Sequence, residues 1–230
     1  VSAAWVDIGR RRSPLPVFAY GLVSLLLLAV PVFSQSMVGE SQLLRLQQDY
    51  GDEARRRGVE LKQLLASLAD ATDQQKLFEI NQFFNQFAYV DDATLWREAD
   101  YWSTPEEFIG MRQGDCEDFV IAKYFALREV GISESKLFLT YVSAVKLNVA
   151  HMVLTYFETP NSIPLVLDNY DARILPANQR SDLLPVYSFN ARSFFLTDLT
   201  AGLGRQLPAD QIKNSKWTEL LTNLRESPVQ

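Results

Sequence analysis

Apolar residues recur at helical spacing through the first part of the chain and at strand spacing through the later part. Leu43, Leu44, Leu46, Leu61, Leu64, Leu65 and Leu68 follow a three-to-four residue repeat between Ser41 and Ala71. The region is therefore predicted to be helical, with a break at the charged stretch GDEARRRG. The next segment, DQQKLFEINQFFNQFAYV, places Leu77, Ile80, Phe83, Phe84 and Phe87 on one helical face and starts at Asp73, a suitable N-cap. Aromatic side chains at that spacing are expected to pack inward. STPEEF reads as a further helix start, with a hydroxyl cap, Pro at the first helical position and acids in the first turn. In GDCEDFVIAKYFALREVG, Gly114 permits a tight turn, Asp115 can cap, and the helix opens with Cys116. Its apolar positions are Phe119, Val120, Ala122, Ala126, Leu127 and Val130, and it ends at Gly131.

The pattern then changes. KLFLTYVSAV, AHMVLTYFE and IPLVLDNY are short, rich in β-branched and aromatic residues, and separated by polar turn-like stretches. They are predicted to be three consecutive strands, to which VYSFNARSFFL adds another. SKWTELLTNLR has the spacing of a short amphipathic helix, with Trp217, Leu220, Leu221 and Leu224 on one side. There is no internal repeat and no low-complexity tract. The fold class expected is α+β, N-terminal helices followed by an antiparallel sheet.

One apolar stretch fits neither pattern. Three arginines at 10–12 precede a run from Leu15 to Phe33, broken only by Pro16, Gly21, Ser24 and Pro31, and polar residues follow. This is the layout of an export signal cut near Gln35, with Val32 and Ser34 as small residues before the cut. The run is also long enough for an uncleaved inner-membrane anchor. On either reading the remainder faces an exported compartment, with the arginines left on the inner side. The domain expectation is residues 1–34 as signal or anchor, 35–72 as a helical segment, and 73–230 as the main domain with 35–72 packed on it.

Charge narrows the partners. The whole chain carries −6, and residues 1–34 hold Asp7 and three arginines, a net +2, so the remainder carries −8. An acidic protein of this kind is a poor nucleic-acid binder, because the phosphate backbone repels it.

Cysteine and histidine each occur once, as Cys116 and His151. A single cysteine makes no internal disulfide. It is either buried filler, half of an intermolecular bridge, or a reactive thiol, just as a lone histidine is either a structural hydrogen-bonder or a catalyst. Cys116 falls at a predicted helix N-terminus, where the dipole and free N–H groups favour a thiolate. His151 opens the second predicted strand, and Asp168 closes the third, seventeen residues later. A nucleophilic thiol needs a base, and the base needs a group that fixes its tautomer. Asp115, Glu117 and Asp118 oppose this arrangement by adding negative charge beside a group that must become an anion. A bound Ca²⁺ would reverse that field while using carboxylate oxygens as ligands. Otherwise these acids only cap the helix and complement its positive end.

GDCEDFVIAKYFALREVGI, followed by AHMVLTYF and VLDNYD, resembles the papain-like transglutaminase core, and more narrowly the bacterial transglutaminase-like cysteine proteinases of the LapG type. The resemblance covers roughly residues 73 to 198. It implies Cys116 as nucleophile, His151 as general base and acid, and Asp168 as the orienting acid. It implies calcium dependence, with Asp115 and Glu117 as the flanking acids. Asp118 is a further ligand by proximity, as is Asp91 or Asp92 in YVDDATLW if that loop folds over. It also implies a periplasmic endopeptidase that cuts the N-terminal region of a large surface adhesin and so disperses biofilm. An inner-membrane receptor that binds cyclic di-GMP on its cytoplasmic side would restrain it. Two other readings stay open: a transglutaminase that passes the acyl group to an amine, and a non-catalytic exported calcium-binding module. The backbone N–H of Cys116 and a side chain between Trp96 and Trp102 are the candidates for an oxyanion hole.

Overall fold

The first half of the chain builds a helical layer whose elements start where their capping residues fall. The structure, a computed structural model, describes residues 36–198, 202–207 and 215–226. The predicted signal or anchor over 1–34 lies outside the described residues. Helix α1 spans Glu40–Tyr50 and α2 spans Asp52–Ser67. The break between them is the single residue Gly51, at φ 85°, and the rest of GDEARRRG is helical. The sequence expectation of a charged break was too long because arginines and glutamate are good helix formers, and only glycine enters that backbone region without strain. Helix α3 spans Asp73–Phe84, and its cap is Thr72 rather than Asp73: the Thr72 hydroxyl accepts from Gln75 N–H at 3.3 Å, and Gln75 Oε1 accepts from Thr72 N–H at 3.1 Å. A one-turn helix α4, Asp92–Leu95, follows. Thr104 caps α5, Pro105–Met111, in the same reciprocal way with Glu107. Helix α6 is Cys116–Glu129. Between these helices, β1 (Ala88–Tyr89) and β2 (Gln113–Gly114) pair in parallel, Tyr89 opposite Gly114.

The aromatic stripe of α3 is core. Phe84, Phe87, Phe108 and Phe119 are buried, with ring centroids 5.0 Å apart for Phe87 and Phe108 and 4.9 Å for Phe108 and Phe119. Helix α6 passes through the middle of the molecule and is buried on nearly every side, which explains why its sequence reads as apolar all round.

The second half is one antiparallel sheet. Its strands are β3 (Leu137–Ala144), β4 (Val149–Tyr156), β5 (Leu165–Leu167), β6 (Leu175–Pro176), β7 (Leu183–Phe189), β8 (Phe194–Asp198) and β9 (Gly202–Gln206), in the order β6-β5-β4-β3-β7-β8-β9. VYSFNARSFFL therefore forms two strands, not one. Asn190 turns the chain, its side-chain oxygen accepting from Arg192 N–H at 3.0 Å and Ser193 N–H at 2.9 Å. Period-two alternation sorts the sheet into two cores. Leu137, Leu139, Met152, Leu154, Leu167 and Phe189 join the core shared with the helices, while Phe138, Val142, Val153, Phe157, Val166 and Leu183 form a smaller one. Residues of α1 and α2 contribute to the shared core. The C-terminal helix α7, Ser215–Glu226, buries Trp217 and Leu220, and Trp217 stacks on Phe125 of α6. Among the described residues, no helix is long and apolar enough to cross a membrane. The architecture is α+β, with the start of α6 lying where the helical layer meets β4.

Candidate active site

The turn from β2 into α6 delivers Cys116. As the first helical residue it faces the positive helix end, and only 8% of its surface is exposed. The backbone N–H of Met152, on β4, lies near enough to the sulfur to favour its anion, so the thiol lies close to the strand residue that follows His151. Its hydrogen bond goes to Glu117 Oε2, at 2.8 Å. The thiol pKa is pushed up, first by burial, then by the charges of Glu117 and Asp115, with the Met152 N–H opposing.

His151 and Asp168 meet directly. His151 Nε2 lies 2.8 Å from Asp168 Oδ1, and both residues are 1% exposed. The pairing of Leu154 with Leu167 sets β5 beside β4, and one residue beyond β5 the chain reaches Asp168. Three groups hold this carboxylate, and a fourth holds the backbone beside it. Besides His151, Arg180 Nη2 donates to Oδ2 at 2.7 Å and Tyr170 N–H donates to Oδ1 at 3.0 Å, while Asn85, the residue that caps the end of α3, donates from Nδ2 to the Asp168 backbone carbonyl at 2.8 Å. Burial alone would raise the Asp168 pKa. The bonds from His151, Tyr170 and Arg180 outweigh it and hold the carboxyl below its ordinary value. Asp168 therefore stays ionised and can stabilise an imidazolium. With Nε2 on Asp168, the free ring nitrogen is Nδ1, which is buried and has no hydrogen-bond partner among the described residues. A proton leaving the sulfur needs an acceptor of this kind.

Beside the thiol lies a group of acids. One oxygen from each of Asp92, Asp115 and Asp118 falls within 4.8 Å of the others. Asp118 accepts from Ser103 N–H at 2.9 Å through Oδ1, and its Oδ2 reaches back to Asp115 N–H at 3.3 Å. Asp92 accepts from Tyr101 N–H at 2.6 Å. Burial and mutual repulsion push Asp115 up to about 10, burial pushes Asp118 up to about 7, and Asp92 is raised by burial too. Two oxygens, Asp92 Oδ1 and Asp115 Oδ1, are buried without a partner. Three crowded carboxylates, two of them with a spare oxygen, fit a hard divalent cation, whose charge would remove the repulsion.

The structure thus groups Asp115 and Asp118 with Asp92, brought in by the α4 turn. Glu117 turns to the sulfur instead. Asp91 caps α4 by accepting from Thr94 N–H at 2.9 Å and is outside the group. Trp96 and Trp102 keep buried indole N–H groups without partners, and Trp102 stacks on Phe189. Sequence reasoning missed Arg180, Tyr170, Asn85 and Met152. Tyr170 stands two residues after Asp168 in the VLDNYD stretch, but nothing local marks Arg180 or Asn85, which reach Asp168 only through the tertiary fold.

A family model for bacterial transglutaminase-like cysteine proteinases matches residues 48–184. Among solved structures, calcium-bound LapG of Legionella pneumophila is 40% identical with a TM-score of 0.69, covering 80% of this chain and 98% of that one. The EGTA-treated form of LapG is 38% identical with a TM-score of 0.70, covering 80% and 96%. No protein of curated function matches the chain.

Proposed function

Given that the chain belongs to the bacterial transglutaminase-like cysteine proteinases, and so is a cysteine protease, we propose that Cys116, His151 and Asp168 are its catalytic triad. The observation that carries this reading is the buried 2.8 Å contact between His151 and Asp168, with His151 Nδ1 left unpartnered one residue from Met152, whose N–H acts on the thiol. His151 Nδ1 takes the thiol proton, and the sulfur attacks the scissile carbonyl to form a tetrahedral oxyanion. Collapse expels the amine, which takes the proton from His151, and leaves a thioester on Cys116. His151 then removes a proton from water, the hydroxide attacks the thioester, and the carboxylic acid leaves as the proton returns to sulfur. Asp168 holds the imidazole in the tautomer that leaves Nδ1 free and stabilises the imidazolium. The N–H of Cys116, at a helix start with no intrahelical partner, is placed to donate to the oxyanion.

Asp92, Asp115 and Asp118 are the residues that would hold calcium. Support comes from the spare buried oxygens of Asp92 and Asp115 and from the existence of calcium-bound and EGTA-treated forms of a structure 38–40% identical to this chain. Calcium bound there would supply a positive charge that offsets the carboxylates opposing thiolate formation.

The substrate proposed is the N-terminal region of a large surface adhesin, whose cleavage releases it and disperses biofilm. An inner-membrane receptor for cyclic di-GMP is the proposed restraining partner, and the periplasm the proposed location. The family likeness supports substrate and partner. The three arginines before the apolar run of residues 15–33 support export. The test is cleavage of an adhesin N-terminal fragment. Activity is expected in calcium, with a loss of about 10³-fold or more in Cys116→Ala and His151→Ala and a smaller loss in Asp168→Asn. Incorporation of a labelled amine instead of hydrolysis, or full cleavage by Cys116→Ala, would overturn the assignment.

A further inference from the structure

Building on the proposed triad, we propose that Tyr170 is a positioning residue. Its ring fixes the plane of the His151 imidazole and covers the His151–Asp168 bond against water, and Tyr89 ties it to the strand that leads to the nucleophile.

Beyond its covalent link at Cγ, the imidazole is hydrogen-bonded at one atom only. Nε2 is bonded to Asp168, and Nδ1 has no partner. A ring held at one corner can still pivot about that bond, and every pivot moves Nδ1 away from the line of proton transfer. The second restraint comes from Tyr170, whose ring lies parallel to the imidazole, with centroids 4.3 Å apart and planes 6° from coincident. Stacking of this kind resists tilting out of the plane, the motion that the Nε2 bond leaves open. The tyrosine is itself placed by the same carboxylate, since its N–H donates to Asp168 Oδ1 at 3.0 Å. One oxygen therefore sets both the ring and the plate laid over it.

Exposure shows which of the two meets solvent. Tyr170 is 42% exposed, whereas His151 beneath it is 1% exposed. Excluding water matters here because a hydrogen bond to a charged partner strengthens as the local dielectric falls. Tyr170 also meets Tyr89, with ring centroids 5.6 Å apart. Tyr89 is paired with Gly114, two residues before Cys116. The aromatic pair thus joins the arm that carries the nucleophile to the arm that carries its base.

Because the chain has a single histidine, the nitrogen-bound imidazole proton of His151 gives an unambiguous NMR signal. The experiment measures that proton's exchange with solvent and the cleavage kinetics in the full protein, for wild type, Tyr170→Phe, Tyr170→Ala and Tyr89→Ala. In Tyr170→Ala, kcat is expected to fall about tenfold or more with KM within about twofold, because orientation and not binding is lost. Exchange at Nε2 is expected to quicken about tenfold or more in the same variant. Tyr170→Phe keeps the plate and should restore both quantities to near wild type. Tyr89→Ala, which leaves the stack in place, should give an intermediate loss in kcat and decides the question if Tyr170→Ala fails to fold. Unchanged kcat and exchange in Tyr170→Ala, or a loss in Tyr170→Phe equal to that in Tyr170→Ala, would overturn the inference. Should Cys116→Ala leave cleavage intact, the triad reading falls by itself, and the exchange measurement, which needs no substrate, still decides whether Tyr170 shields His151.

Discussion

Lys123 lies wholly inside the protein on α6, and its ammonium nitrogen has no hydrogen-bond partner among the described residues. The ring face of Phe119, 5.8 Å away, and the charge of Asp168 are its compensation. Burial pushes this amine down to about 7, with Asp168 pulling the other way. Its folded pKa lies below the unfolded value of 10.5, so between the two the folded state binds fewer protons and stability rises with pH. Lys123→Met replaces the amine with an apolar chain of similar length. It is expected to stabilise the protein by about 1–3 kcal/mol near pH 7 and to abolish that part of the pH slope. Urea midpoints from pH 6 to 9 check both, and parallel curves for variant and wild type would contradict them. Legibility at this scale divides the same way. Cys116 and His151 could be singled out because each type occurs once, Cys116 at a helix start and His151 near the start of a strand. Lys123 and Arg180 could not, since their surroundings are assembled from helices and strands far apart in sequence. Asp92 was recognisable only as one of a pair, and the α4 turn, capped by Asp91, decides which of the two faces Asp115.

At the scale of elements, the junction of β2 with α6 carries the tightest geometric demand. Gly114 is not needed for an unusual backbone angle. It is needed for space: a Cβ there would collide with the Asp118 carboxylate and come within 2.9 Å of Phe108 Cδ2. Gly114→Ala must therefore shift Asp118, whose oxygens bond Ser103 N–H and Asp115 N–H. We expect the calcium concentration for half-maximal cleavage to rise about tenfold, equivalent to about 1.4 kcal/mol. Circular dichroism should stay that of the folded protein. An unchanged calcium requirement would show that Asp118 does not hold the ion. Helix starts with hydroxyl or Pro signals were legible to within a residue, as at Thr72 and Thr104, because capping is local chemistry. β1 and β2 were not. Two residues carry no periodicity, and their pairing depends on the packing of α3, α5 and α6. The Asn190 turn inside VYSFNARSFFL was missed because its signal is one side chain folding back on the next three residues.

Across the whole molecule, the site forms where two layers made from different halves of the chain meet. The helical half brings Cys116 and the acid cluster, and the sheet brings His151 and Asp168. The class of this arrangement was readable from the change in hydrophobic period. The strand order was not, because β3 pairs with both β4 and β7, and the second pairing closes a long loop that leaves no local mark. The central claim is that His151 and the carboxylate cluster together control the reactivity of Cys116. The most direct test is the alkylation rate of this single cysteine by iodoacetamide at neutral pH, in the full protein, in calcium and in EGTA, with His151→Ala alongside. A fast rate is expected in calcium, falling about tenfold or more both in EGTA and in His151→Ala. A rate that is slow and equal in all three would contradict the claim.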